Sequence, residues 1–195
     1  MVVVGGGGRE HALCLSLDAS PQVDSIHCVP GNAGTARLAT NHACDMSVET
    51  LVKLFTHVGA DLVVVGPEAP LCDGLADACR DAAVPCFGPV AALAHLEGSK
   101  LHAKQTMEIA GVPTAAYQRL DASSDLDAAL DAYAGAPWVV KRDVLAGGKG
   151  VVVTENREEA KSFVERSIQT DGFVLLEAFL PGEEASMLVV MDGTA

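Results

Sequence analysis

Residues 2–13 read VVVGGGGREHAL, and this stretch decides how the chain begins to fold. The apolar run Val2–Val4 predicts a strand, Gly5–Gly8 a tight turn, and Glu10–Leu17, whose apolar residues recur at helical spacing, a helix. In that order, the turn brings free backbone N–H groups and the positive end of the helix dipole to the carboxyl end of the strand. The stretch therefore suits a phosphate group.

Short apolar runs and helical segments keep alternating until about residue 118. Further strands are predicted at Ile26–Val29, Leu62–Val65 and Pro85–Phe87, and further helices at Val48–Val58, Leu71–Ala83 and Leu101–Ala110. This alternation predicts a parallel sheet, so residues 1–118 are expected to form an N-terminal α/β substrate-binding domain of Rossmann-like type. Ligands collect at the carboxyl ends of such strands. The loops in question are Gly5–Glu10, Pro30–Thr35 and Gly66–Leu71.

Shorter elements follow, and residues 119–186 are expected to form a small α+β unit. Its strands are predicted at Ala116–Leu120, at two valine runs within 139–153 and at Phe173–Phe179, and its helices at Asp125–Tyr133 and Arg157–Ile168. A last strand, Ala185–Met191, would open a further domain at residues 187–195. The turn signal Asp192-Gly193 comes just before the last residue, which predicts that the chain is part of a longer one.

The second stretch of interest is VVKRDVLAGGKGVVV, residues 139–153. Glycines let the backbone approach anionic oxygens, and Lys141 and Lys149 supply charge for a polyphosphate. A plain hairpin with a solvated lysine fits the pattern equally well. The Walker phosphate-binding motif is excluded, since it requires a glycine where Asp143 stands and a hydroxyl where Gly150 stands. The dinucleotide motif G-x-G-x-x-G fails as well, at Glu10 and His11.

Composition narrows the class of partner. The chain has 195 residues with 13 basic and 26 acidic side chains, a formal net charge of −13. That charge repels a phosphate backbone at long range, so we expect small metabolites and no nucleic acid. Six scattered cysteines without metal spacing are expected to be reduced core thiols. The N-terminal sequence predicts neither a signal peptide nor a membrane span, and together these features predict a cytoplasmic location.

Six blocks of sequence carry a resemblance to a known family. They are GGGGREHAL (5–13), PGNAGT (30–35), GPEAPL (66–71), LEGSK (96–100), VVK…LAGGKGV (139–151) and FLPGEEAS (179–186). In this order they resemble the phosphoribosylamine–glycine ligases, which are ATP-grasp enzymes of de novo purine biosynthesis, and the resemblance covers the whole chain. It implies a pre-ATP-grasp domain followed by an ATP-grasp lid. It also implies ligation of glycine to 5-phosphoribosylamine through a glycyl phosphate, with ATP and Mg²⁺ or Mn²⁺.

The resemblance also implies roles for residues at the ATP site. The phosphates would be met by Lys104 and Lys141, the latter being the one catalytic candidate. The flap would consist of Gly147, Gly148, Lys149 and Gly150. Glu177 would be the acid next to the adenine hinge, and the backbone of Ala178, Phe179 and Leu180 would contact the base. Glu184 would bind the ribose, with Glu183 as its competitor. Each charged member could instead be an ordinary surface group. The two lysines, at 104 and 141, are expected to converge in one crevice.

For the sugar phosphate, the resemblance implies one set of residues in each of the three loops. These are Gly8, Arg9 and Glu10, then Asn32, Ala33, Gly34 and Thr35, then Pro67 and Glu68. Two alternatives stay open: Arg9 could cap the helix or form a local ion pair, and Asn32 could be only a left-handed turn residue.

The chain departs from the family pattern in two respects. Where the family usually reads Lys-Ala-Asp-Gly, residues 141–144 read Lys-Arg-Asp-Val, and a β-branched Val144 disfavours positive φ. The metal ligands of the family are expected beyond residue 195, so no metal ligand is assigned here. This chain alone is therefore expected to be inactive, and its partner could be the remainder of a split or longer ligase. The alternatives are a non-catalytic sugar-phosphate or nucleotide-binding chain, and another ATP-grasp carboxylate–amine ligase.

Overall fold

The computed structural model describes residues 1–135, 137–145 and 150–190. The chain divides into two compact units, the first comprising Met1–Val112 and the second beginning at Pro113. Each unit has its own sheet.

The first unit contains a five-stranded parallel sheet with the order β3-β2-β1-β4-β5. The strands are β1 (Val2–Gly5), β2 (His27–Pro30), β3 (Thr40–Asn41), β4 (Val63–Val65) and β5 (Cys86–Phe87). Its helices are α1 (Gly8–Asp18), α2 (Val48–His57), α3 (Ala69–Cys72), α4 (Leu75–Asp81), α5 (Ala91–Gly98) and α6 (Lys100–Ala110). A 3-10 turn at Thr35–Arg37 lies between β2 and β3. The predicted parallel α/β fold is confirmed.

Apolar side chains cover both faces of this sheet. Val2 and Val4 pack with Phe55 of α2 and Leu75 of α4, whereas Val3 points the other way and packs with Cys14 of α1. Because side chains alternate along a strand, a run of valines supplies both cores at once. That is why the strands read as continuous apolar runs.

The helix predicted at Leu71–Ala83 is wrong as a single element. The structure has two helices there, α3 and α4, separated by Gly74 at φ 92°. A left-handed residue interrupts the α-helical backbone, and glycine takes that conformation without steric cost. The sequence pattern showed only the shared apolar spacing.

The second unit contains a four-stranded antiparallel sheet with the order β6-β9-β7-β8. The strands are β6 (Tyr117–Asp121), β7 (Trp138–Arg142), β8 (Val151–Thr154) and β9 (Phe173–Glu177), and the helices are α7 (Leu126–Ala132) and α8 (Arg157–Asp171). The core forms on the face that carries Val140 and Leu176, against Leu130 of α7 and Val164 of α8. Lys141 and Glu177 alternate with these core residues and lie on the opposite face.

The strand predicted at Ala185–Met191 is wrong over residues 185–190. Residues 185–190 form neither helix nor strand. Met187 and Leu188 are 90% and 93% exposed. A strand needs a neighbour that accepts its backbone hydrogen bonds, and none of the described strands pairs with this segment.

Two further findings concern the chain as a whole. Within the described ranges, no helix combines the length and the apolar character needed to cross a membrane. All six cysteines are free thiols, and Cys14, Cys28 and Cys79 are buried.

Candidate functional site

Three loops lie side by side at the carboxyl edge of the parallel sheet. They follow β2, β1 and β4, which are neighbours in the sheet. The chain lays β2 on one side of β1 and β4 on the other, and ligands of open α/β sheets bind at such a switch point. We call residues 6–9, 31–35 and 66–68 together the loop cluster. The structure thus brings together the three loops that the sequence singled out.

The loop after β1 presents the N-terminus of α1. Gly7 is the N-cap residue, and its N–H donates to Oε2 of Glu10 at 2.6 Å. This is one half of a capping box, because glycine has no side chain to complete the other half. The N–H groups of Gly8 and Arg9 lie in the first turn, where no intrahelical acceptor exists. These amides and the helix dipole favour an anion at this end of α1.

Glu10 is a buried member of this arrangement, with 4% of the residue exposed. Its carboxyl group lies where a side chain at Gly5 or Gly66 would be, since a Cβ at either position would overlap it. A glycine after β1 and another after β4 therefore make room for one carboxylate between the two strand ends. Glu10 holds two loops of the cluster in place.

Arg9 lies between two carboxylates. Its Nε is 3.3 Å from Oε1 of Glu10, and its Nη2 is 3.9 Å from Oε2 of Glu68. The local ion pair left open for Arg9 is thus present. The side chain is still 64% exposed, so the guanidinium can meet a ligand at the loop cluster. Pro67 is half-buried beside Glu68.

Asn32 ties the loop after β2 to the loop after β1. Its Nδ2 donates to the carbonyls of Gly6 at 3.0 Å and Gly7 at 3.2 Å. Its Oδ1 accepts from the N–H groups of Gly34 at 2.7 Å and Thr35 at 3.0 Å. Asn32 does not have positive φ, so the alternative of a left-handed turn residue is wrong. Ala33 is exposed at the tip of this loop.

Sequence reasoning missed Asn41, which completes this network. Its Nδ2 donates to the carbonyl of Asn32 at 2.8 Å, and its Oδ1 lies 2.9 Å from Oγ1 of the buried Thr35. Gly31, at φ 74°, leaves space for the Asn41 side chain. The signal was weak, since a two-residue edge strand has no recognisable apolar pattern. Gly34 similarly leaves room for the His11 ring.

In the second unit, Lys141 and Glu177 form the lysine–glutamate pair. Nζ of Lys141 lies 3.1 Å from Oε2 of Glu177. Their strands are neighbours, and Val139 is directly opposite Glu177, so the two charged groups meet diagonally across β7 and β9. The Glu177 side chain is 3% exposed and the Lys141 side chain 31%. Burial, and secondarily the Glu177 carboxylate, raise the pKa of Tyr133. In the lysine–glutamate pair, the buried Glu177 carboxylate thus holds the half-exposed Lys141 ammonium group.

The other residues assigned to the ATP site differ from one another in exposure and in hydrogen bonding. The N–H of Ala178 donates to the carbonyl of Ala116 at 2.8 Å, so that amide is already used. Phe179, Leu180 and Glu184 are exposed and follow the end of β9. Gly150 is buried, and its carbonyl accepts from the N–H of Arg142 at 2.7 Å.

The remaining flap residues, Gly147, Gly148 and Lys149, lie outside the described residues. Val144 does not have positive φ. Its β-branched side chain therefore carries no left-handed strain there.

Lys104 is a buried residue of α6, 7% exposed, in the first unit. Lys141 belongs to the second unit. The convergence of the two ammonium groups in one crevice stays a prediction. Across the described part of the chain, no group of three or more His, Cys, Asp or Glu side chains could hold a metal ion.

A parallel α/β unit with a switch-point loop cluster, followed by an antiparallel unit that carries a lysine–glutamate pair, defines the class of the ATP-grasp ligases. The chain belongs to the phosphoribosylglycinamide synthetase family. The family model of the N domain matches residues 1–97, and that of the ATP-grasp (A) domain matches residues 98–195.

Relatives agree with this assignment. The chain is 50% identical to the phosphoribosylamine–glycine ligase of Mycobacterium tuberculosis, over 100% of this chain and 47% of that protein. It is 50% identical to the Streptomyces coelicolor ligase over 99% of this chain and 45% of that protein. The crystal structure of the Thermotoga maritima ligase superimposes with a TM-score of 0.72 and 30% identity, covering 93% of this chain and 44% of that one. The chain thus spans less than half the length of these relatives.

Proposed function

We propose that this chain supplies the substrate-binding unit and the ATP-binding lid of an enzyme that joins glycine to 5-phosphoribosylamine. ATP would be consumed, and glycinamide ribonucleotide, ADP and phosphate would be formed, as a step of purine biosynthesis in the cytoplasm. The observation that carries the proposal is the loop cluster, in which three loops from neighbouring strands meet at the N-terminus of α1.

The loop cluster is suited to the sugar phosphate of 5-phosphoribosylamine. The amides of Gly8 and Arg9 and the Arg9 guanidinium would meet the phosphate oxygens, since helix N-termini and arginine both favour phosphate. The glycines at 6–8 let the ligand approach the backbone closely. Asn32 would keep the loops after β1 and β2 at a fixed separation, through its bonds to Gly6 and Gly7. An acidic chain can in this way capture an anion with local donors.

The lysine–glutamate pair is suited to the phosphates of ATP. Lys141 is half-exposed, so its ammonium group is accessible, and Glu177 restricts where that group can lie. A fixed positive charge neutralises the charge that develops during phosphoryl transfer, and positioning of this kind carries most of the catalysis in such reactions. Phe179 and Leu180 would contact the adenine, and Glu184 the ribose. Lys104 would add a second charge at the phosphates.

The proposed chemistry needs no nucleophile from the protein. The glycine carboxylate attacks the γ-phosphorus of ATP, ADP leaves, and the amine of phosphoribosylamine then displaces phosphate from the glycyl phosphate. Magnesium would neutralise phosphate charge in such a step. Among the described residues, no group of three or more His, Cys, Asp or Glu side chains could hold this ion.

A second candidate is that this chain binds the sugar phosphate and nucleotide without turnover. It is favoured by Val144, a β-branched residue that stands where the family usually has glycine. An ATP-grasp ligase for another amine is the remaining alternative.

The experiment is an assay of ADP release by the protein that carries this chain together with the C-terminal half found in relatives. The proposal expects ADP release only when glycine and phosphoribosylamine are both present. ADP release that does not depend on both substrates would reject it. Release that requires a different amine would support the alternative ligase, and binding of ribose 5-phosphate without turnover would support the binding function.

A further inference from the structure

Arg142, next to Lys141 in β7, makes a two-bonded ion pair on the opposite face of the sheet. Its Nε lies 2.6 Å from Oδ2 of Asp171, and its Nη2 lies 2.8 Å from Oδ1. Two parallel charge-assisted bonds fix the relative orientation of both groups, which a lysine could not do. The side chains are 29% and 10% exposed, so solvent screens this pair less than an ordinary surface pair.

Asp171 lies at an electrostatically unfavourable position. It is the last residue of α8, and the helix has no basic residue in its last turn. A carboxylate at a helix C-terminus is unfavourable, because the dipole is negative there. Arg142, from a different element, supplies the missing positive charge. Its hydrogen bonds lower the pKa of Asp171, in agreement with that role.

The pair also lies at the base of the glycine-rich loop. Arg142 is the last residue of β7, and its N–H donates to the carbonyl of Gly150 at 2.7 Å, just before β8 begins. On its other side, Arg142 is in register with Val174 of β9. The Arg142 side chain thus links the end of β7, which carries Lys141, to Asp171 at the junction of α8 and β9.

We propose that Arg142, held by Asp171, is a positioning residue that fixes Lys141 against Glu177 and thereby sets nucleotide affinity without touching the nucleotide. The part of this proposal that concerns affinity rests on the proposed function. Without the ion pair, the end of β7 would fray, and Lys141 would lose its fixed position across from Glu177. Side-chain alternation makes this possible, since residues 141 and 142 point to opposite faces.

The test compares Arg142→Ala, Asp171→Asn and the double variant with Arg157→Ala as the matched control. Arg157 makes ion pairs of similar length with Asp127 and Asp131 between α7 and α8, and it follows the end of β8 opposite to the end that pairs with Lys141. Amide exchange at residue 142 is followed by NMR, because that N–H survives in Arg142→Ala. The Kd for ADP is measured by calorimetry on the protein that carries this chain together with the C-terminal half found in relatives, at a temperature where all variants are folded.

Both single variants are expected to exchange about tenfold faster at residue 142 and to bind ADP about tenfold more weakly. The double variant should match the single ones, because all three remove the same contact. Arg157→Ala should lower the melting temperature yet leave both readouts within about twofold of the wild type.

Equal exchange at residue 142 in Arg142→Ala and Arg157→Ala would overturn the proposal, as would additive losses in the double variant. Faster exchange with an unchanged Kd would overturn the positioning role. If the wild-type protein that carries this chain and the C-terminal half does not bind ADP, the proposed nucleotide function fails, while the exchange arm still decides whether the ion pair fixes the strand that carries Lys141.

Discussion

The loop cluster and the lysine–glutamate pair present hydrogen-bond donors for an anion by different means. The cluster uses backbone amides at the start of α1, organised by the buried carboxylate of Glu10. The pair uses one side chain, Lys141, held by the buried carboxylate of Glu177. In both places a buried acid fixes the group that would bind an anion. Anion binding by backbone amides is lost only when the loops move, whereas anion binding by one side chain is lost when that side chain is replaced.

The largest expected effect comes from Gly66→Ala in the loop cluster. The new Cβ would overlap the Glu10 carboxyl group, which is buried and bonded to Gly7. Over-packing of this kind, together with the loss of a helix cap, should lower the free energy of unfolding by about 3 kcal/mol. Chemical denaturation measures this.

Gly8→Ala is the matched control, because nothing lies within 4 Å of a Cβ at that position. It should leave stability almost unchanged. Equal stability of both variants would show that Glu10 is not confined between the two strand ends.

The next effect tests the lysine–glutamate pair. Lys141→Met should weaken ADP binding at least about tenfold, because it removes the charge that meets the phosphates. It should also cost about 1–2 kcal/mol of stability by removing the ammonium group beside the buried Glu177 carboxylate, a value reduced because Lys141 is partly exposed.

Lys141→Met/Glu177→Gln separates these two effects. The double variant should regain the lost stability, since the buried charge at position 177 is removed together with the ammonium group, but not the lost affinity. Calorimetry with ADP and thermal unfolding together check this. Recovery of ADP binding in the double variant would mean that Lys141 acts only as a partner for Glu177.

A smaller effect is expected at Asn32, which connects two loops of the cluster. Asn32→Ala removes two donors to the carbonyls of Gly6 and Gly7, and should cost about 1 kcal/mol of stability and weaken ribose 5-phosphate binding about fivefold. Asn156→Ala removes the N-cap of α8 in the other unit and should cost a similar amount of stability. The account requires that only Asn32→Ala weakens the binding of ribose 5-phosphate, as measured by titration.

The smallest effect is a pH dependence at Asp171. Arg142 lowers the pKa of Asp171 in the folded chain below the unfolded value of about 3.9. The pair therefore contributes fully above about pH 4, and its contribution is lost as the pH falls through the folded pKa. The stability difference between the wild type and Arg142→Ala should be constant near neutral pH and vanish in acid. A difference that grows as the pH falls below 4 would contradict this sign.

The sequence predicted the elements whose pattern is local and strong. The valine strands β1, β4, β7 and β8 have continuous apolar runs next to turns that contain glycine, so their type follows from short-range pattern. The order of the six sequence blocks indicated the family. Pattern failed at Gly74, where a left-handed residue separates α3 from α4 although the apolar spacing continues across it.

The candidate site was predictable as a set of loops but not as a set of contacts. Glycines and the start of α1 mark the loop cluster in the sequence. Glu10 packs against Gly66, which is 56 positions away in the sequence. Arg142 pairs with Asp171, which is 29 positions away. Asn41 stands in a two-residue edge strand. Such contacts depend on the packing of distant segments, which no local pattern encodes.

The most direct test of the account is an NMR titration of this chain with ribose 5-phosphate. Its central claim is that backbone amides of the loop cluster capture the phosphate of a sugar. The account predicts saturable shifts of the amides of Gly8, Arg9 and residues 31–35, with the amides of β6 to β9 unaffected. No shift in the loop cluster at millimolar ligand, or shifts confined to the second unit, would contradict it.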